Sequence, residues 1–246
     1  MGHTLRFAMG AALLSLLFFV LCVVLGWGYL SPGEGASPVF SESTGVCVVL
    51  DPGHGGEDGG CSSAEGAVEK DLNLSIAEDI AAILNAAGCP AVLTRTEDKL
   101  LYDLYGDLAD YTGRKKTYDL RNRLRFSEAQ NAQYLVSIHM NKFPDPQYNG
   151  LQVYYSGAHP ESARLAELIQ SYAAKYIQPE NRRKTKASSK GIYLLERSTA
   201  PAVLVECGFL SNPEEAELLS DPEYQKALAL TVAAAILEGC AVEGNS

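Results

Sequence analysis

An α/β domain with a central, mostly parallel or mixed sheet of about six strands flanked by helices is expected for this chain. Three observations predict it. Short apolar runs rich in β-branched residues recur along the sequence, as in Val46 to Leu50, Tyr134 to Ile138 and Ala202 to Glu206. Segments with helical spacing of apolar residues separate them, over 69–87 and 160–177. Turn signals punctuate the boundaries, giving the order β-α-β-α-β-β-α-β-β-α. Apolar runs without alternation suit strands buried on both faces.

Val46 to Leu50 forms the first strand, and Asp51-Pro52-Gly53 is expected to break it. A Gly-rich loop continues to Gly66. Leu72, Ile76, Ile80, Ile83 and Leu84 then make the apolar stripe of a helix over 69–87. Gly88 ends that helix and Pro90 prevents its continuation. The second strand is 90–95, followed by an irregular polar segment over 96–118 near the expected cleft. Asp119 is placed as the cap of a helix running to Gln130. The third strand ends at His139 and the fourth spans Leu151 to Tyr155. Pro160 suits the first turn of a helix that reaches Ile177. Residues 179–190 form a polar, basic loop. Ile192 to Leu195 and Ala202 to Glu206 are the last strands. Asn212 caps a short helix, and a final helix covers Pro222 to Gly239.

The chain has 246 residues, 47% of them hydrophobic, which allows one substantial core. No charge occurs from Phe7 to Leu30. As a helix this stretch is about 36 Å long, enough to span a bilayer. Residues 1–30 are therefore expected to be an uncleaved signal-anchor, with a cleaved signal peptide as the alternative. Residues 31–44, rich in Pro, Gly and Ser, form a linker. The folded domain is expected to occupy 45–240, with 241–246 as a tail. Arg6 on the inner side places the domain outside the cytoplasm, membrane-anchored or secreted.

The formal charge of −10 disfavours nucleic acid as a partner, because an acidic surface releases no counterions from it. The one basic cluster, Arg182-Arg183-Lys184-Thr185-Lys186, is expected to be a solvated loop. Six cysteines are present: Cys22, Cys47, Cys61, Cys89, Cys207 and Cys240. Cys22 lies in the leader, and the odd number that remains implies no complete disulfide framework. They are expected to be mainly structural.

His54 follows the first strand, His139 ends the third, Glu206 ends the last, and Glu69 begins the first long helix. Ligands in open α/β sheets bind at the carboxyl ends of strands, so the four are expected to converge. Two imidazoles and a carboxylate can hold one zinc ion and leave its fourth position open. A second carboxylate can then move the protons that hydrolysis needs. Gly53, Gly55 and Gly56 around His54 permit tight turns and close approach to a ligand. The same glycines do not fit a P-loop or the dinucleotide fingerprint, and no Gly-x-Ser-x-Gly elbow occurs.

The segments LDPGHGGEDGG, VEKDLNLSIA, SIHMN and LVECGFLSNPEE, in this order, resemble the zinc-dependent N-acetylmuramoyl-L-alanine amidases of the amidase-3 family. The resemblance covers residues 45–240. It implies that His54, Glu69 and His139 are zinc ligands and that Glu206 is the catalytic acid/base. It further implies hydrolysis of the amide between N-acetylmuramic acid and the first L-alanine of the stem peptide. Met140 and Cys207 depart from the family pattern, where a small residue and Thr are more usual. Arg121, Arg123 and Asn131 are read as parts of a solvated amphipathic helix, with service to the site or stem peptide as the alternative. The short anchored architecture resembles germination-specific spore-cortex amidases, some of which need an activator protein. Alternative readings are another peptidoglycan zinc peptidase, a carboxypeptidase or endopeptidase, and a non-catalytic wall-binding protein.

Overall fold

The computed structural model describes residues 48–188 and 191–243. The leader, the linker, Cys22 and Cys47 lie outside the described residues, as do residues 244–246 of the tail. Among the described residues, no helix is long and apolar enough to cross a membrane.

The chain forms β1 (Val48–Pro52), α1 (Glu69–Ala86), β2 (Ala91–Leu93), α2 (Lys115–Gln130), β3 (Tyr134–Asn141) and β4 (Gln152–Tyr155). There follow α3 (Pro160–Tyr176), β5 (Lys186–Ala187), α4 (Tyr193–Arg197), β6 (Ala202–Phe209), α5 (Pro213–Ser220) and α6 (Pro222–Glu243). One mixed sheet has the order β2-β1-β3-β6-β4-β5. The first four of these strands are parallel to one another, whereas β4 runs antiparallel to β6 and carries β5 alongside it.

Successive strand residues face opposite sides, and the two sides differ in chemistry. On one side, Val48, Leu50, Val136, Ile138, Val203 and Val205 pack against α1, α3 and α6. The α1 stripe of Leu72, Ile76, Ile80 and Leu84 is buried there. Each such side chain contributes about 1.5–3 kcal/mol of apolar burial. On the other side, Val49, Leu135, Ala202 and Leu204 pack under α2 and α4. Further along the same strands this side turns polar, with Asp51 and Ser137, and then presents His139 and Glu206.

Several boundaries differ from those expected. The strands run further: β1 continues through Asp51 and Pro52, β3 through Asn141 and β6 through Phe209, so His139 and Glu206 lie inside strands. Pro52 is tolerated on this central strand because it pairs only with Ile138 of β3, beyond the end of β2. Asp119 is not a helix cap. The helix starts at Lys115, and Asp119 is buried within it, accepting a 2.6 Å hydrogen bond from the Leu101 amide. Ile192 to Leu195 is not a strand but the start of the α4 turn. A four-residue apolar run satisfies either structure, and here Leu194 and Leu195 close the small core over Val49, Leu135 and Leu204. The remaining strand is instead β5, within the loop expected over 179–190. The Asn212 cap is present, its side chain accepting from the Glu215 amide at 2.9 Å.

Candidate active site

At the carboxyl ends of β1 and β3 and the start of α1, three side chains meet at one carboxylate oxygen. Glu69 Oε1 lies 3.2 Å from His54 Nε2 and 3.0 Å from His139 Nδ1. The two imidazoles stand edge to face, their centroids 5.0 Å apart. One donor atom from each residue lies within 4.8 Å of the other two. Glu69 is fixed by the backbone: Oε2 accepts from the Cys61 amide at 2.7 Å and Oε1 from the Met140 amide at 3.1 Å. Burial would raise its pKa, but hydrogen bonds and charge from His139 and His54 hold it well below the usual carboxylate range. Glu69 is therefore an ionised, buried group facing two imidazole nitrogens. Two nitrogens and one carboxylate oxygen converging in this way suit a divalent transition metal.

Glycines make room for these side chains. A Cβ on Gly53 would lie 2.2 Å from His139 Cε1, and one on Gly60 would lie 2.4 Å from Glu69 Oε2. His54 itself sits in the left-handed region at φ 63°, a conformation that a non-glycine residue keeps only when its surroundings impose it. Here Arg123 Nη2 donates to the His54 carbonyl at 2.6 Å. On the ring side, Asp58 Oδ1 lies 3.0 Å from His54 Nδ1. The ring thus stands between two carboxylates, Asp58 beside Nδ1 and Glu69 beside Nε2, which together raise its pKa against the opposing effect of burial.

Beneath the cluster lies a buried ionic network. Arg123 is 2% exposed and contacts Asp51 at 2.9 Å and Asp119 at 2.8 Å. Thr94 and Ser137 each donate to Asp51 at 2.7 Å. Burial alone would raise the Asp51 pKa, but the Arg123 charge and these hydroxyls hold it below the usual range. Arg95 donates to the carbonyls of Pro52, Gly53 and Lys70. The loop that carries His54 is thus gripped through its carbonyls by two buried guanidinium groups.

Glu206 stands beside this cluster. It is the register partner of His139 across β3 and β6, so the two project from one face of the sheet. Burial pushes its carboxyl up to about 7, against a downward pull from His139 and a further upward push from Glu69. Its Oε2 is buried without a hydrogen-bond partner among the described residues. A carboxylate poised near neutrality can take up and release a proton at physiological pH.

Residues 48–238 match the N-acetylmuramoyl-L-alanine amidase family. The chain belongs to this family. It is 33% identical over 230 residues to the germination-specific N-acetylmuramoyl-L-alanine amidase of Bacillus subtilis, covering 94% of each chain. Among solved structures, the CwlD amidase from Clostridioides difficile in complex with the GerS lipoprotein is similar at a TM-score of 0.73 and 34% identity, over 80% of this chain and 98% of that one. The amidase AmiC2 of Nostoc punctiforme is similar at a TM-score of 0.65 and 34% identity, over 78% of this chain and 96% of that one. The protein is accordingly a peptidoglycan hydrolase of the amidase class.

Within this amidase the four residues singled out from sequence come together. The remaining candidates separate. Arg121 is exposed and near Asp107 at 3.8 Å, as expected of a solvated helix face. Asn131 is the left-handed cap of α2 and His159 precedes α3, both at the opposite end of the strands from Glu206. Arg123 is the exception, since it is buried and holds the His54 loop. Met140 and Cys207 are both buried in the opposite core, so neither departure from the family pattern reaches the site face. Cys61, Cys207 and Cys240 are free thiols, and Cys89 is buried. Asp58, Asp51 and Arg95 were not legible as site residues. The spacing of Asp58 four residues after His54 was the available signal for one of them.

Proposed function

We propose that the amidase uses a zinc ion held by His54, Glu69 and His139, with Glu206 as general base and acid. The observation that carries this reading is the meeting of two imidazole nitrogens at Glu69 Oε1, beside a carboxylate with a buried, partnerless oxygen. When bound, zinc supplies Lewis-acid polarisation of the amide carbonyl and lowers the pKa of water.

The chain's own groups complete the chemistry. Glu206 takes a proton from the attacking water and delivers it to the departing nitrogen. The C–N bond between the lactyl carbonyl of N-acetylmuramic acid and L-alanine breaks. The lactyl group leaves as a carboxylic acid and the stem peptide as a free amine. Asp58 keeps the His54 tautomer, and Arg123 and Arg95 hold the loop that presents it.

We place this activity outside the cytoplasm, with residues 1–30 as a signal-anchor or cleaved signal, 31–44 as a linker and 45–240 as the catalytic domain. Similarity over 94% of the chain to a germination-specific amidase supports a role in spore cortex. The likeness to an amidase whose structure is in complex with a lipoprotein supports a protein partner that modulates activity.

Digestion of purified peptidoglycan with and without chelator, followed by mass analysis of the fragments, tests the reading. Chelator-sensitive release of intact stem peptides with an L-alanine amino end is expected. Cleavage inside the stem would instead indicate a carboxypeptidase or endopeptidase.

A further inference from the structure

The basic cluster over 182–186 has one member unlike the others. Arg182, Lys184 and Lys186 are exposed, whereas Arg183 is half-buried and fixed. Its guanidinium lies over the Phe209 ring, 4.4 Å from the centroid, and 5.8 Å from that of Tyr148. Nε donates to the Asn149 carbonyl at 2.6 Å and Nη1 to Gln152 Oε1 at 3.0 Å. Nη2 makes no hydrogen bond, and no carboxylate lies within ion-pair distance of the group, among the described residues.

The sheet connects this guanidinium to the reaction centre. Gln152 of β4 is the register partner of Glu206, so their side chains stand side by side on one face. After His139 and Glu206 the β3–β6 register shifts, and Asn141 then pairs with Phe209. This bulge puts Phe209 on the His139 and Glu206 face, and sends Leu210 to the opposite core. Gln152 and Phe209, each 3% exposed, thus form a buried floor that links Glu206 to Arg183 on one side of the sheet. Arg183 itself lines a groove of about 540 Å³ together with Tyr148, Asn149, Asn181 and Arg182 among others. Glu180, also in the groove, is nearly fully exposed and pairs with Arg182 at 3.3 Å.

A guanidinium held over an aromatic ring, with a donor unused among the described residues and its nearest interacting carboxylate, Glu215, buried behind Phe209 and beyond ion-pair distance, is built to receive a carboxylate. On a chain of formal charge −10 such a cationic group also offsets locally the repulsion of an anionic substrate. The stem peptide of peptidoglycan carries a free α-carboxylate on its second residue, a γ-linked glutamate, close to the scissile amide. In amidated walls that group is a neutral carboxamide. We propose that Arg183, stacked on Phe209 and bonded to Gln152, binds this stem carboxylate and makes the enzyme discriminate against amidated stems. The inference rests on the amidase reading and names a specificity residue for it. Binding energy taken from this remote group serves to position the amide at Glu206.

The test uses the full chain and two muramyl-peptide substrates that differ only in carboxylate or carboxamide at the second stem residue. The unaltered protein is expected to favour the carboxylate by about tenfold in kcat/KM. Arg183→Gln is expected to bring the two substrates to near equality, chiefly by raising KM for the carboxylate, with metal content unchanged. Arg183→Lys is expected to keep part of the preference. A parallel loss on both substrates in Arg183→Gln would assign Arg183 to tethering the loop through Asn149 and overturn the proposal. Equal rates on both substrates with the unaltered chain would overturn it too, independently of whether Arg183→Gln folds. Scission of a bond other than the muramyl amide would instead remove the amidase reading itself.

Discussion

His139 and Glu206 are register partners on adjacent parallel strands, so the spacing of the sheet sets the spacing of a candidate metal ligand and the proposed proton carrier. Neighbouring strands lie about 4.8 Å apart, and both strands are braced on their other sides, by β1 and β4. The geometry is therefore a property of the sheet core rather than of mobile loops.

Glu206→Gln keeps the shape of that side chain and removes its proton chemistry. The variant is expected to retain bound metal and to lose on the order of 10²–10⁴ in kcat. Metal content by mass spectrometry beside turnover on peptidoglycan checks this. Retained turnover would take Glu206 out of the reaction.

Gly53→Ala is expected to lower metal affinity on the order of 10–100-fold. The added methyl would lie 2.2 Å from the His139 ring. The backbone has little freedom to withdraw, because the Gly53 amide donates to Ile138 and its carbonyl accepts from Asn73 and Arg95. The imidazole must give way instead. Competition with a chromogenic chelator gives the affinity, and a value equal to that of the unaltered protein would mean that His139 has room to spare.

Arg123→Met leaves Asp51 and Asp119 buried without their cation. A loss of roughly 3–5 kcal/mol in unfolding free energy is expected, as for other broken buried pairs. Urea denaturation measures it. A loss below about 1 kcal/mol would place the pair in the class of weak surface contacts.

The pH dependence of stability separates two carboxylates in metal-free protein. Burial raises Glu206 from 4.5 to about 7. Between these values the folded state holds a proton that the unfolded chain has released, so stability falls as pH rises through this window. Glu206→Gln lacks that proton, so its stability relative to the unaltered protein should improve across the same window. A constant difference would mean an unshifted carboxyl. Asp51 has the opposite sign. Its pKa is lowered from 3.8, so its contribution is complete above that value and is lost as pH falls below it.

Local chemistry accounts for what could be read from the chain. Apolar runs, helix periods, the Asn212 cap and the placement of His54, His139 and Glu206 toward the carboxyl ends of strands, with Glu69 at the start of α1, all follow from spacing between near neighbours. The strand expected at Ile192 to Leu195 failed for the same reason: four apolar residues carry no period long enough to choose between strand and helix. Arg123 and Asp119 were misjudged because burial of a charge depends on counter-charges distant in sequence. Asp51 lies 72 positions from Arg123, and nothing local announces their pairing. The β6 bulge that turns Phe209 toward Arg183 is likewise a matter of register between strands. Residue types and their order thus settled the family and singled out the four side chains that the fold brings together. Which side chains are buried, which way each faces and how charge is balanced were set by long-range packing, because desolvation and strand register exist only once distant segments meet.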